Sequence, residues 1–254
     1  MKRLIGRGFV VLALVLLATT MATQAQAGIC AFPSLCIEYS LNNGITVTPL
    51  VSGASGSIIV DPAATLGSFQ VDVSSAESNS PGNASLAELL SSTLSITNTG
   101  SSTQTLELFI GDVNFSAPTA PPGIEVNSHI GGTVAVGSSA NLLSFKSCVD
   151  PNNGQNVCGI STPSGLVTAG PGTPNVTGSP SSSFKDDHYA TILSLGKGYS
   201  ISQELTITLG AGSQLNFSDS TTLTPVPEPV SIGLLGGILL LTNRMIRRKS
   251  KQNS

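Results

Sequence analysis

Apolar and polar residues alternate along much of the middle of this chain. In "FQVDV", Phe69, Val71 and Val73 fall on one side and Gln70 and Asp72 on the other. The same alternation runs through "ITVTPLV" (Ile45 and Val47 against Thr46 and Thr48), "TLSITNT" (Leu94, Ile96), "TLELFI" (Leu106, Leu108, Ile110) and "ELTITL" (Leu205, Ile207, Leu209). Successive side chains of a strand point to opposite faces, so a period of two predicts strands with one apolar face each. Those faces need a second layer. Two antiparallel sheets packed face to face satisfy them most simply, so the expected fold is all-β, an antiparallel β-sandwich.

The connections are rich in turn formers: "SAESNSPGNAS" at 75–85, "SAPTAPPG" at 116–123 and "STPSGLVTAGPGTPNVTGSPSSS" at 161–183, the last reading as a mobile loop. One helix signal interrupts them. Ser85-Leu86-Ala87-Glu88 has the spacing of a capping box ahead of Leu89 and Leu90, which predicts a helical turn or two. No repeat of fixed period is present, which argues against solenoids and propellers.

Both ends break the pattern. Lys2, Arg3 and Arg7 precede an apolar run from Phe9 to Ala18 and then "TTMATQAQA", the order of a secretory signal. Cleavage is expected after Ala25-Gln26-Ala27, so that the mature chain starts at Gly28. At the other end, Val230 to Thr242 is apolar and is followed by Arg244, Arg247, Arg248 and Lys249. At about 1.5 Å per residue this run reaches only ~20 Å as a helix, short of the ~30 Å hydrocarbon core. Extending it to Ile246 obliges Arg244 to snorkel. The basic cluster places the C-terminus on the cytoplasmic side. The expected organisation is a signal peptide over residues 1–27, an all-β ectodomain over 28–223 and a C-terminal segment over 224–251, with a signal helix and a transmembrane-like helix flanking the sandwich.

This division changes the meaning of the charge. The whole chain carries a formal −3. Apart from the two ends, the only cations are Lys146, Lys185 and Lys197, against 13 acidic residues, or 14 with Glu228 of the C-terminal segment, and no arginine. Phosphate backbones are bound by Lys and Arg, so nucleic acid is excluded as a partner. The four cysteines, Cys30, Cys36, Cys148 and Cys158, all lie in the exported part, where disulfides are the default. Three connectivities are open; the local one, Cys30 with Cys36 and Cys148 with Cys158, is expected because each bond would staple a turn-rich loop. Zinc is disfavoured, since there is no Cys-x-x-Cys and neither histidine is near a cysteine in sequence.

Chemistry is sparse. The two histidines, His129 and His188, sit in no nucleophile or metal motif. Asp187-His188 is the one pair that could orient an imidazole toward a serine, yet its setting reads as a solvated loop. "CVDPNNGQNVC" clusters oxygen ligands at Asp150, Asn152, Asn153 and Asn156 around Gly154. It misses the spacing of a calcium loop and lacks the closing Glu, so Asp150 and Asn152 make only a weak calcium candidate. No cofactor and no catalytic residue is assigned. There is no Trp to stack on sugars, and Tyr39, Tyr189 and Tyr199 are the only tyrosines.

The C-terminus carries a resemblance. Val226-Pro227-Glu228-Pro229, a Gly-containing apolar segment and Arg247-Arg248-Lys249 resemble the PEP-CTERM sorting signal of Gram-negative bacteria, over residues 224–251 only. Two prolines keep the triplet extended and stop a helix from propagating upstream of it. The resemblance implies transit through the inner membrane, cleavage near the triplet by a membrane-embedded exosortase, and release or transfer of the ectodomain to the cell surface or outside. It further implies a link to exopolysaccharide and biofilm, often with glycosylation of the passenger. "YSISQELTITLGAGSQLNFSDSTTLTPVPEP" and "LSITNTGSSTQTLELFIGD" are also similar to uncharacterised passengers of that group. The expectation is a non-enzymatic surface or extracellular-matrix protein. The alternatives are a polysaccharide- or calcium-binding module and a plain single-pass anchored ectodomain; a hydrolase has the least support.

Overall fold

The computed structural model of the chain describes residues 35–226 apart from 43, 45, 54–55, 120–122, 156–157 and 159–164. Ala25, Ala27, Gly28, Cys30, Ile45, Asn156, the Pro227-Glu228-Pro229 triplet, the two flanking helices and the basic tail lie outside the described residues.

Among the described residues every regular element is a strand: β1 (Leu35–Ser40), β2 (Thr48–Gly53), β3 (Ser57–Leu66), β4 (Phe69–Ser78), β5 (Ala87–Asn98), β6 (Gln104–Phe115), β7 (Ile124–Val136), β8 (Leu142–Asp150), β9 (Val167–Gly172), β10 (Ser183–Ile192), β11 (Tyr199–Leu209) and β12 (Gln214–Pro225). They form two sheets with the orders β2-β1-β6-β11-β8-β9 and β10-β7-β12-β5-β4-β3, hereafter the first and second sheets, with every pairing antiparallel. From β5 onward the chain switches sheets at each connection except the β8–β9 hairpin. The resulting orders, β5-β12-β7-β10 facing β6-β11-β8-β9, are those of a jelly roll. The earlier strands widen it, β1 and β2 on the first sheet and β3 and β4 on the second.

The alternation read from the sequence sets the core. Phe69, Val71 and Val73 on β4, Leu94 and Ile96 on β5, Leu106, Leu108 and Ile110 on β6, and Leu205, Ile207 and Leu209 on β11 are all buried between the sheets. Burying each such side chain contributes roughly 1.5–3 kcal/mol. Phe115 and Tyr199 stack with ring centroids 5.6 Å apart, and the Tyr199 hydroxyl donates to Ala117 O at 2.8 Å.

Two local expectations are corrected. Residues 85–90 form no helix: Ala87 to Leu90 open β5, with Ala87 and Leu89 fully buried. The hydroxyl that looked like a cap serves a turn instead, since Asn83 Oδ1 accepts from Ser85 N, Ser85 Oγ and Leu86 N. The buried period-two face outweighs a local cap. The stretch 161–183 is not loop throughout either, because it contains β9. Gly170 and Pro171 are tolerated there because β9 is an edge strand, paired only to β8.

Cys148 on β8 is bonded to Cys158, with their Cα atoms 5.4 Å apart. Cys36 is also disulfide-bonded; Cys30, the partner expected for it, lies outside the described residues.

Candidate functional site

The outer face of the first sheet carries the residues that alternate with the core. Its register aligns them in rows across the strands. Ser40, Glu107, Thr206 and Ser144 form one row across β1, β6, β11 and β8. Glu38, Phe109, Glu204 and Lys146 form the next. Thr105, Thr208 and Leu142 form a third, with Thr105 Oγ1 and Thr208 Oγ1 hydrogen-bonded at 2.8 Å.

Above β8 and β11 this face becomes a groove of ≈ 470 Å³. Its floor is Leu142, Ser144, Thr206 and Thr208, and its wall is the segment Thr173 to Thr177 that leaves β9. The wall is braced by an Asx turn in which Asn175 Oδ1 accepts from Thr177 N at 3.1 Å and from Thr177 Oγ1 at 2.8 Å. The lining is uncharged: hydroxyls, amides and the aliphatic surfaces of Leu142, Leu143, Pro174 and Val176. Leu142 is 63% exposed, a large apolar side chain left open on the groove floor.

Asn141 closes one end. It is fully buried, and its Oδ1 accepts from Gly210 N at 3.0 Å. Its Nδ2 finds no acceptor among the described residues. A buried amide with unmet donors is costly to leave so, by about 1–3 kcal/mol, and this one belongs to a residue that lines the groove.

Two acidic residues share this face near the groove without lining it, Glu107 on β6 and Glu204 on β11. Glu107 lies directly across from Thr206, and Glu204 lies two residues before Thr206 on the same strand and face. Lys146 Nζ is 2.8 Å from Glu204 Oε2. Burial raises the pKa of Glu107 above the usual carboxylate value, and the neighbouring Glu204 charge raises it further; the Gly44 N–H, Lys146 and the Ser40 hydroxyl only partly offset this. Glu107 Oε2 is buried and accepts no hydrogen bond among the described residues.

The residues singled out from the sequence are placed elsewhere. Asp187 and His188 are neighbours on β10, so they point to opposite faces and cannot act together. Asp187 instead pairs with His129 Nδ1 at 2.6 Å across the β7–β10 register, and His188 Nε2 lies 3.3 Å from Asp186 Oδ1. At Asp150, Oδ1 accepts from Asn152 N and Nδ2, and Oδ2 from Gly154 N at 2.8 Å. A cation would have to displace these three donors, and no group of His, Cys, Asp or Glu suited to a metal occurs among the described residues. Asn153 is turned away from Asp150 and exchanges hydrogen bonds with Asn114 at 2.7 and 2.8 Å. Of the tyrosines, Tyr199 is buried, Tyr39 packs against the core and Tyr189 stands 60% exposed on the second sheet.

A second cavity of ≈ 360 Å³ opens on the second sheet beside Glu77 and Glu88. Asp219 lies inside the sandwich. Burial raises its pKa to about 7, opposed only by the hydroxyl of Ser91, its register partner on β5. Around it runs a buried polar seam: Gln203 Nε2 donates to Leu89 O and Thr221 Oγ1, and Ser147 Oγ donates to Ser128 Oγ.

No protein-family model matches this sequence, and no curated protein matches it. Solved structures with a distant likeness include a carbohydrate-binding module in complex with β-1,4-galactotriose, at 10% identity, TM-score 0.29 and coverage of 61% of this chain and 88% of that one. The adhesin domain of Epf from Streptococcus pyogenes matches at 9% identity and TM-score 0.29, over 76% of this chain and 59% of that one. The family 11 carbohydrate-binding module from Clostridium thermocellum, in complex with a mixed-linked tetrasaccharide, matches at 12% identity and TM-score 0.24, over 70% of this chain and 100% of that one. At those scores the likeness carries no argument about ligand or activity.

Proposed function

We propose that this chain is an exported, non-enzymatic surface protein whose sandwich holds a polysaccharide in the groove over β8 and β11, and whose C-terminus is a PEP-CTERM-type signal read by an exosortase. The observation that carries the binding reading is Asn141, a fully buried side chain with an unpartnered amide NH₂, lining an uncharged groove. A sugar hydroxyl is a matching acceptor. Thr206, Thr208, Ser144 and Asn175 offer further hydroxyls and amides, and Leu142 offers an apolar surface for a pyranose face. The export reading rests on the sequence: a signal peptide before Gly28, an acidic arginine-free domain and the triplet Pro227-Glu228-Pro229 ahead of an apolar segment and Arg247-Arg248-Lys249.

Two measurements on the native protein test this. Affinity electrophoresis against a panel of soluble polysaccharides should show retardation by at least one; no retardation by any would remove the binding reading. Intact-mass measurement should find a chain beginning at Gly28 and ending near Pro229. A mass ending at Ser254 in the inner membrane would remove the sorting reading and leave a plain anchor.

A further inference from the structure

The core of the sandwich holds an acid with nothing to balance it. Asp219 is buried on β12, opposite Ser91 of β5. Neither of its carboxylate oxygens receives a hydrogen bond among the described residues, and Ser91 Oγ, near enough to lower its pKa, stands outside hydrogen-bond geometry. The next inward-facing pair along these two strands is Thr221 and Leu89. Gln203 reaches that pair from the opposite sheet, its Nε2 donating to Thr221 Oγ1 at 2.9 Å and to Leu89 O at 3.2 Å. Its Oε1 is left in the same layer, buried and without a donor. Four oxygens from three side chains and both sheets are thus unpartnered, and only Ser91 brings a proton of its own.

The protein's own charges do not meet this need. Lys146 and His129 stand on the outer faces, against Glu204 and Asp187. The titratable groups at inward-facing positions are Asp112 on β6 and, on the edge strand β10, Asp186 and His188, which lie 3.3 Å apart. None of them acts on Asp219, whose pKa is raised by burial and opposed by the Ser91 hydroxyl alone. Buried charges are otherwise found paired or coordinating a metal.

We infer that Asp219, Ser91 and Gln203 form an interior site for one alkali cation, sodium or potassium, whose hydration shell their carboxylate, hydroxyl and carbonyl oxygens replace. All-oxygen ligands suit a hard cation, and carbonyl-type oxygens substitute for its water. Calcium sites gather several carboxylates; here a single carboxylate balances a single positive charge, and no group of three His, Cys, Asp or Glu suited to a metal occurs among the described residues. The β12–β5 register slips between Phe217 and Asp219, an irregularity of the kind that re-aims a side chain beside a site. The cation and a proton compete for Asp219, so the proton holds the site below about pH 7 and the cation above it. This site is separate from the groove and depends on neither the polysaccharide nor the sorting reading.

The test is thermal unfolding of the full-length protein in detergent, in sodium, potassium or choline chloride at one chloride concentration. Choline is too large to enter the core. At pH 8.5 the better-fitting alkali ion should raise the unfolding midpoint over choline by about 2–4 °C. At pH 5, where a proton occupies Asp219 and the surface acids are still ionised, the three salts should give one midpoint. Asp219→Asn should abolish the ion dependence at pH 8.5, and the comparison of the two pH values needs no variant. One midpoint in all three salts at pH 8.5 overturns the inference and leaves a proton or a water at Asp219. An ion effect that persists at pH 5 or in Asp219→Asn overturns it in favour of the surface acids. A larger shift from millimolar calcium that Asp219→Asn abolishes overturns the choice of a monovalent ion.

Discussion

Asp219 is the residue whose chemistry departs furthest from its sequence appearance. In "FSDSTT" it reads as one more surface acid, yet it points into the core opposite Ser91 with a pKa of about 7. An acid whose pKa is higher folded than unfolded binds more protons in the folded state. Its protonated form therefore suits the fold at low pH, and stability falls as pH rises from about 3.8 and levels off above about 7. Asp219→Asn keeps the shape without the charge. Thermal unfolding between pH 4 and 9 should show the variant and the unaltered protein close together at pH 4. At pH 8 the variant should be more stable by on the order of a few kcal/mol. Glu107 and Asp112 are shifted in the same direction by burial, so some slope should remain in the variant. An unchanged slope would mean that Asp219 reaches water. Asn141 and Glu107 were equally illegible from sequence. Their surroundings come from neighbours remote in the chain, Gly210 for one and Thr206 and Glu204 for the other.

Strands were legible where the apolar face was long and unbroken. Leu205, Ile207 and Leu209 on β11 and Leu106, Leu108 and Ile110 on β6 lie in the core as the alternation predicts. The failures share one cause. "LVTAGPG" carries too little apolar surface to announce itself, because β9 is an edge strand that buries chiefly Ala169, and Ser85 to Glu88 carry a helix-like local signal overridden by a buried face. The Cys148–Cys158 bond matters at this scale. It ties β8 to the loop that begins at Pro151, and Asp150 and the Asn114–Asn153 pair hold the same loop. Closing a loop this short constrains the unfolded chain by about 2–3 kcal/mol. Changing Cys148 and Cys158 together to Ser should lower unfolding stability in urea by about that amount, with the β-sheet circular dichroism retained. Loss of folded structure would assign the bond a larger part than loop closure.

For the whole molecule, the sandwich was predictable and its strand order was not, since alternation specifies faces but says nothing of which strands neighbour each other. The jelly-roll order is what brings β8 beside β11 and sets the segment leaving β9 as a wall over them, and the groove exists only because of it. The two sheets present different surfaces. The first presents the groove with Leu142 and Asn141; the second presents Tyr189, the only exposed tyrosine among the described residues. Sugar binding through an exposed aromatic would use the second sheet, whereas the proposed groove lies on the first. The direct test is affinity electrophoresis of two variants with the polysaccharide that most retards the unaltered protein. Leu142→Ala combined with Thr206→Ala should weaken binding by about tenfold or more, while Tyr189→Ala binds as the unaltered protein does. Full retardation of the groove variant together with loss of binding in Tyr189→Ala would contradict the account.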